Sequence, residues 1–435
     1  MTSNKFVSPI TLACLLATSI AQAQQAQPAA EPAPSEPPPA PTSEAAARST
    51  APTATSAVPA AAPPTDANTT AVPAPAAGPV SVASTTPAGP TTTVSGYVEA
   101  AYHRSLTYAN AAMPPSGFLV TRAYDGANEF SLHAAHLALR HAMNEHVSMT
   151  VELDAGEDAA ANNVVAGLPG FVDMQEAYAT YSNSGFSLTA GRFVTYEGIE
   201  VIEGPANPTI TRGLLYTWAE PLTHTGFKAH YATGPLDVGV GLVNGWDKIL
   251  SDNNDAKTLN FRVGVTPVKQ FWAAASGTFG AERNGNDDDK RLSLDLTGAV
   301  IPIDELTVFF QGNYGSEPHA GVTGADASWI GFGLQPLLKL NALSLGARFE
   351  WFKDTNGARL LSDDTSYLTF AITPGYTLGG GFRLRAEYRF DSASKRIFVT
   401  GHGTRVTDDG MGGTTPDPEL GKNQSTIALS ADYQF

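Results

Sequence analysis

Residues 382–390 read F-R-L-R-A-E-Y-R-F, so that Phe382, Leu384, Ala386, Tyr388 and Phe390 alternate with Arg383, Arg385, Glu387 and Arg389. Side chains alternate across a strand with a period of two, whereas a helix would scatter these residues around its axis. The run is therefore a strand with one apolar face and one charged face. The pattern recurs outward from it. Leu343, Leu345, Ala347, Phe349 and Trp351 oppose Ser344, Arg348 and Glu350, and Val147, Met149, Val151 and Leu153 oppose Thr150, Glu152 and Asp154. Ile427, Leu429, Ala431, Tyr433 and Phe435 lie opposite Thr426, Ser430 and Asp432.

Sixteen segments of this kind are read at 94–104, 129–141, 145–155, 173–182, 185–193, 223–233, 235–244, 256–266, 269–280, 290–301, 304–314, 327–335, 342–352, 365–373, 380–390 and 424–435. Seven of the fifteen connections are short, such as T-G-P at 233–235 and I-P-I-D at 301–304. The other eight are longer, polar and rich in Gly, Asn and Asp, and short and long alternate strictly. A soluble sandwich has no reason to keep that rhythm; an up-and-down outer-membrane barrel does, with short periplasmic turns and long outer loops. In lipid every backbone N–H and C=O must be paired inside the protein, so such a sheet must close. The expected fold is all-β, a transmembrane antiparallel β-barrel of about 16 strands. An even count that begins with a long loop puts both ends of the mature chain in the periplasm. Tyr102, Trp246, Phe279, Tyr314, Trp351 and Phe390 are expected at the outer interface, with Tyr433 and Phe435 at the inner one, where amphipathic rings are favoured.

Composition splits the chain of 435 residues into three parts. Charged residues are 16% of the total, against roughly 25% in soluble domains. A formal charge of −16 excludes a basic nucleic-acid binder, and a single cysteine excludes a disulfide scaffold. Residues 1–23 read as a signal peptide: Lys5, an apolar run from Phe6 to Ile20, then Ala21-Gln22-Ala23 as the cleavage pattern. That run is too short to span a bilayer as a helix. Residues 24–93 carry 16 of the 31 prolines and no Phe, Trp or Tyr. Such a stretch buries too little apolar surface to offset its chain entropy, and it reads as a disordered periplasmic arm, with peptidoglycan as a partner it could reach. The barrel segment, 94–435, holds 38 of the 39 aromatics. Residues 1–93 hold two bases and four acids, so the barrel keeps −14 of the charge, much of it in expected outer loops such as Asp287–Asp289.

A family resemblance rests on motifs in fixed order: S-G-Y-V-E-A-A-Y at 95–102, A-G-R-F-V-T-Y-E-G-I-E at 190–200 and N-P-T-I-T-R-G-L-L-Y at 207–216. T-H-T-G-F at 223–227, N-G-W-D at 244–247, N-N-D-A-K-T at 253–258 and R-A-E-Y-R-F-D at 385–391 follow. Together they resemble the OmpL-like β-barrel porins of Gram-negative bacteria over about 94–435. The resemblance implies an outer-membrane porin, set among membrane lipid and lipopolysaccharide, through which small hydrophilic solutes or ions diffuse passively. It names no solute and no oligomeric state. The terminal Tyr-x-Phe at 433–435 is similar to the signal, centred on Phe435, that the barrel assembly machinery reads.

Sixteen strands enclose a lumen too wide for side chains alone to fill. Arg348, Glu350, Arg383, Arg385, Glu387 and Arg389 sit at inward positions of neighbouring strands and are the expected pore-lining charges, which set ion preference in channels. The loop 194–222 carries Glu197, Glu200, Glu203 and Arg212 among apolar Ile199, Val201 and Ile202. It is the candidate constriction loop, folded inward so that its acids oppose the arginines. The alternatives are that the wall charges pair with one another and that the loop packs over the barrel mouth. His133, His136, His141 and His146 straddle a turn, and N-G-N-D-D-D-K at 284–290 lacks the spacing of a calcium loop, so neither is read as a metal site. No catalytic or cofactor motif is present, and no enzyme and no cofactor are expected. Two other functions stay open: a non-conducting barrel for adhesion or cell-wall tethering through the proline-rich arm, and a barrel lipid hydrolase using His224.

Overall fold

The computed structural model describes residues 89–107, 128–165, 170–360, 364–408 and 414–435. The signal segment 1–23 and all of the arm 24–93 except its last five residues lie outside them. The strands are β1 (Thr91–Ser105), β2 (Asn128–Ala142), β3 (Val147–Ala155), β4 (Val172–Asn183), β5 (Phe186–Val194), β6 (Thr223–Thr233), β7 (Leu236–Val243), β8 (Thr258–Val268) and β9 (Phe271–Ala281). They continue as β10 (Lys290–Ile303), β11 (Leu306–Glu317), β12 (Ala327–Leu340), β13 (Leu343–Thr355), β14 (Thr365–Gly379), β15 (Phe382–Ala393), β16 (Phe398–Asp408), β17 (Thr414–Gly421) and β18 (Asn423–Gln434). Fifteen consecutive strands and β18 close a sixteen-stranded antiparallel barrel, sealed where β1 pairs with β18 from Tyr97–Gln434 to Ser105–Thr426. Closure leaves the wall no free edge, which is the condition lipid imposes.

The barrel is inside-out relative to a soluble protein. Outward Phe227 and Leu242 are 64% and 56% exposed, while inward Arg348 and Arg389 are 0% exposed. Both expected alternations hold: on β13 and β15 the apolar set faces lipid and the charged set faces in. Turns are tight on one end only. Ser184 and Gly185 join β4 to β5 with φ of 50° and 86°, the left-handed pair that matches strand twist in a two-residue hairpin.

The differences from the sequence reading are local and have physical causes. β12 and β14 run beyond the expected ends at 335 and 373, through Pro336 and Pro374. Proline lacks the N–H that a ladder needs, and the pairing skips from Leu334–Phe349 to Leu337–Gly346 and from Ile372–Tyr388 to Gly375–Arg385. The last long connection contains a separate hairpin of β16 and β17, which T-T-P-D-P at 414–418 hides behind two prolines. A helix, α1 (Glu157–Val165), stands in the connection after β3, with Glu157 and Asp158 in its first turn, where the helix dipole favours acids. Trp246 is a correction. It is not at the lipid interface but buried edge-on against Trp329, their centroids 6.1 Å apart.

Candidate functional site

The connection from β5 to β6 does not lie over the mouth; its side chains and backbone are bonded to inward-facing residues of β4, β10, β11, β13 and β15. Its neck is closed by Thr195 N donating to Leu222 O at 3.0 Å. Asp247 Oδ1 accepts from Leu222 N and Thr223 N at 2.7 and 3.1 Å, and pins the neck to the next loop. Within the loop, Asn207 holds Val201 by a reciprocal amide pair, its Oδ1 accepting at 2.9 Å and its Nδ2 donating at 2.8 Å. A short 3-10 turn at Gly204–Ala206 and a wide turn at Leu215–Ala219 complete the excursion.

One flank of the loop rests on the arginine-bearing strands. Arg348 donates to Glu200 Oε1 at 2.9 Å, to Thr209 Oγ1 at 2.7 Å, to Thr211 Oγ1 at 3.0 Å and to Thr211 O. Glu387 accepts from Ile210 N at 2.6 Å and from Thr211 N at 3.2 Å, and Glu350 accepts from Leu214 N at 2.5 Å. Arg385 donates to Glu99 at 2.6 Å and to the carbonyls of Asn207 and Thr209 at 3.3 Å. Arg389 reaches Arg212 O at 2.6 Å, and Arg383 reaches Pro205 O at 2.9 Å. The wall strands leave room for this contact. A Cβ on Gly346 would lie 1.9 Å from Pro208 O, and one on Gly331 would lie 2.4 Å from Leu215 Cδ2.

The six wall charges are thus inward, and five are buried beneath the loop; only Arg383 keeps part of its side chain (18%) open, while paired with Asp432 at 2.9 Å. Glu200 and Arg348 do not face each other across a gap. They meet, and both side chains are buried. Glu203 goes elsewhere, accepting from Gln175 Nε2 on β4 at 2.6 Å. Arg212 turns back to Asp158 of α1 at 3.3 Å and to Ile202 O at 2.5 Å. Burial pushes the Asp158 carboxyl up to about 6, against the pull of His133 and Arg212.

The other flank is different in kind. Glu197 and Glu220 approach Asp295 on β10, where Gly198 N donates to Asp295 Oδ1 at 3.0 Å. Gln311 Nε2 bridges two carboxylates, Glu220 at 2.6 Å and Asp295 at 2.8 Å, and Asn313 Nδ2 adds a bond to Asp295 at 3.0 Å. Ser293 donates its hydroxyl to Glu197 Oε2. Among the described residues no ion pair reaches these three acids. Burial, with the Asp295 charge adding to it, pushes the Glu197 carboxyl up to about 8 and Glu220 well above the usual carboxylate range. Reading the sequence for arginine partners missed Glu220, Asp295, Gln311 and Asn313. The inward phase of β10 and β11 was the available signal for the last three.

Between the flanks, Leu214 and Leu215 bury fully against Trp329, Phe352 and Tyr367. Burial of each leucine contributes about 1.5–3 kcal/mol. Arg359 lies over the Trp246 and Trp329 rings at 4.7 and 5.3 Å and donates to Trp218 O at 2.5 Å, which ties the β13–β14 connection to the wide turn.

The remaining candidates disperse. His136 bonds Asp154 at 2.8 Å, His141 bonds Thr92 at 2.8 Å, and His146 bonds Ser182 O at 3.0 Å. Asp287 accepts from Asp255 N and Ala256 N of the β7–β8 connection, and Asp289 binds Arg283 and His319, so these carboxylates tie neighbouring connections together. Among the described residues no three His, Cys, Asp or Glu side chains are arranged to hold a metal. His224 is buried and bonded to Gly245 O at 3.0 Å and Thr195 Oγ1 at 3.3 Å.

The barrel is similar in fold to the anion-selective porin from Comamonas acidovorans, with a TM-score of 0.53 and 10% identity over 80% of this chain and 100% of that one. The outer membrane channel DcaP of Acinetobacter baumannii gives 0.52 and 13% identity over 80% of this chain and 98% of that one. OmpT of Vibrio cholerae, in its trimer form, gives 0.52 and 12% identity over 80% of this chain and 100% of that one. At these identities the likeness is one of fold. The sequence matches no curated protein. The family described as "Putative beta-barrel porin-2, OmpL-like" matches residues 91–435, the whole barrel, and the chain belongs to that family of outer-membrane porins.

Proposed function

We propose that the barrel is a passive channel for small hydrophilic solutes and ions across the outer membrane of a Gram-negative bacterium, with loop 195–222 as its restriction. The observation that carries this reading is the polar lining. Inward positions carry Asn260, Gln311, Asn313, Thr369, Arg348 and Glu387 where a filled structural barrel would carry apolar side chains. The loop is held on that lining by hydrogen bonds, ion pairs and close glycine contacts, all of which are reversible. Glu197, Glu200, Glu203 and Arg212 belong to the restriction, and Arg348, Glu350, Arg383, Arg385, Glu387 and Arg389 to the wall that receives it. Both mature termini lie on the periplasmic side, the side of the tight turns. Exposed Phe435, stacked on Tyr433 at 6.2 Å, is presented to the assembly machinery. Discrete conductance steps of the full chain in a planar bilayer, with a reversal potential under a salt gradient, test the reading.

One observation favours a second reading: five of the six wall charges are buried beneath the loop. A barrel filled in this way fits a non-conducting anchor, with the proline-rich arm binding peptidoglycan. That reading predicts no conductance steps under any condition and retention of residues 24–93 on isolated cell wall.

A further inference from the structure

We propose that Glu197, Glu220 and Asp295 form a proton-operated latch, which holds the loop down when protonated and releases it when ionised. The proposal rests on the channel reading for its consequence, a change in conductance. The geometry carries it. Three carboxyl groups converge on Gly198, whose φ of +90° lets the chain pass so close that a Cβ there would lie 2.1 Å from Glu220 Oε1. Glu197 is 1% exposed, and its Oε1 is buried without a hydrogen-bond partner among the described residues.

The groups around the trio do not neutralise it. From β10 come Ser293 and Asp295, from β9 Thr278, from β11 Gln311 and Asn313, from the loop after β7 Asp247, and from the restriction loop itself Glu200. Arg348 is spent on Glu200, and Arg359 on Trp218 O and two indole rings. A metal cation is a poor substitute for the missing charge. Gln311 and Asn313 point N–H groups at the carboxylates, and those donors would repel it. A proton fits: it neutralises one carboxyl, and the resulting O–H can donate to a neighbouring carboxylate or to an uncommitted oxygen.

Because the loop acids are shifted upward, the latch is at full strength below the ordinary carboxylate range and weakens as pH rises through about 8. Ionisation then places like charges on both sides of Gly198, and the loop leg is pushed off β10 and β11. A one-proton latch changes its open-to-closed ratio by at most about tenfold per pH unit.

The test uses the full chain, refolded and reconstituted, with heat-modifiable gel migration to show that each variant forms its barrel. Conductance is recorded from pH 5 to pH 9. In parallel, a nitroxide on Ala206→Cys, in a Cys14→Ser background, reports loop freedom by its spectral linewidth. The expected result is a small conductance and an ordered label at pH 5, with both rising above pH 8. In Glu197→Gln/Glu220→Gln they stay low throughout, and Glu220→Gln alone shifts the rise upward. A conductance and a label that ignore pH would overturn the latch and leave the channel standing. The same pH response in the double variant would also overturn it. A label that loosens above pH 8 with no conductance at any pH would keep the latch and remove the channel.

Discussion

The two flanks of the loop between β5 and β6 are held by opposite means. On the β13–β15 side, every carboxylate of the contact meets a guanidinium, a hydroxyl or a backbone N–H, as in Arg348–Glu200 and Glu387–Ile210. On the β10–β11 side, three carboxyls meet amides and a hydroxyl, and among the described residues no base pairs with them. The first arrangement is stable because each charge is compensated where it is buried, and removing one partner strands the other. The second is stable only while at least one carboxyl is neutral. One loop therefore has a permanent hinge and a conditional edge, and substitutions on the two sides should act with opposite sign.

The largest effect is expected from Arg348→Ala. It leaves Glu200 buried without its arginine and strips three hydrogen bonds from Thr209 and Thr211, at a cost to the seated loop of about 3–5 kcal/mol. Conductance should rise at every pH, while gel migration of the folded barrel stays unchanged. Gly346→Val comes next, since its side chain would enter the space of the Pro208 carbonyl; overpacking of this kind costs about 1–3 kcal/mol. Faster hydrogen exchange at 207–211 would report it. Arg359→Met removes the cation from two indole rings, a loss of about 0.5–2 kcal/mol. It should broaden the conductance distribution by freeing the wide turn. The smallest effect has the reverse sign. At pH 9, Glu197→Gln should strengthen the seat by about 1 kcal/mol, one pK unit's worth, and at pH 5 it should do nothing. Loosening at pH 9 instead would erase the contrast between the flanks.

The barrel was legible because its physics is periodic. Alternation on β13 and β15 follows directly from lipid on one face of the wall and polar surroundings on the other, and the short–long rhythm of connections follows from an up-and-down barrel whose two ends differ. What interrupted the period was illegible for the same reason: Pro336 and Pro374 inside strands, and the hairpin of β16 and β17 beyond the wall. The arginine flank was half legible. The residues on both sides were identifiable, but their direct pairing depends on how far the loop descends, which Gly346 and Gly331 permit from strands distant in sequence. The acid flank was not legible, because Glu220 and Asp295 have no motif and are brought together only by closure of the fold. Trp246 misled, since an aromatic near a strand end reads the same whether it faces lipid or, as here, another tryptophan.

The central claim is that loop 195–222 restricts a conducting lumen. Single-channel conductance of the chain lacking residues 197–210, compared with the intact chain in the same bilayer and salt at pH 6, tests it most directly. A severalfold larger, steadily open conductance is the predicted result. Unchanged conductance and ion selectivity would contradict it.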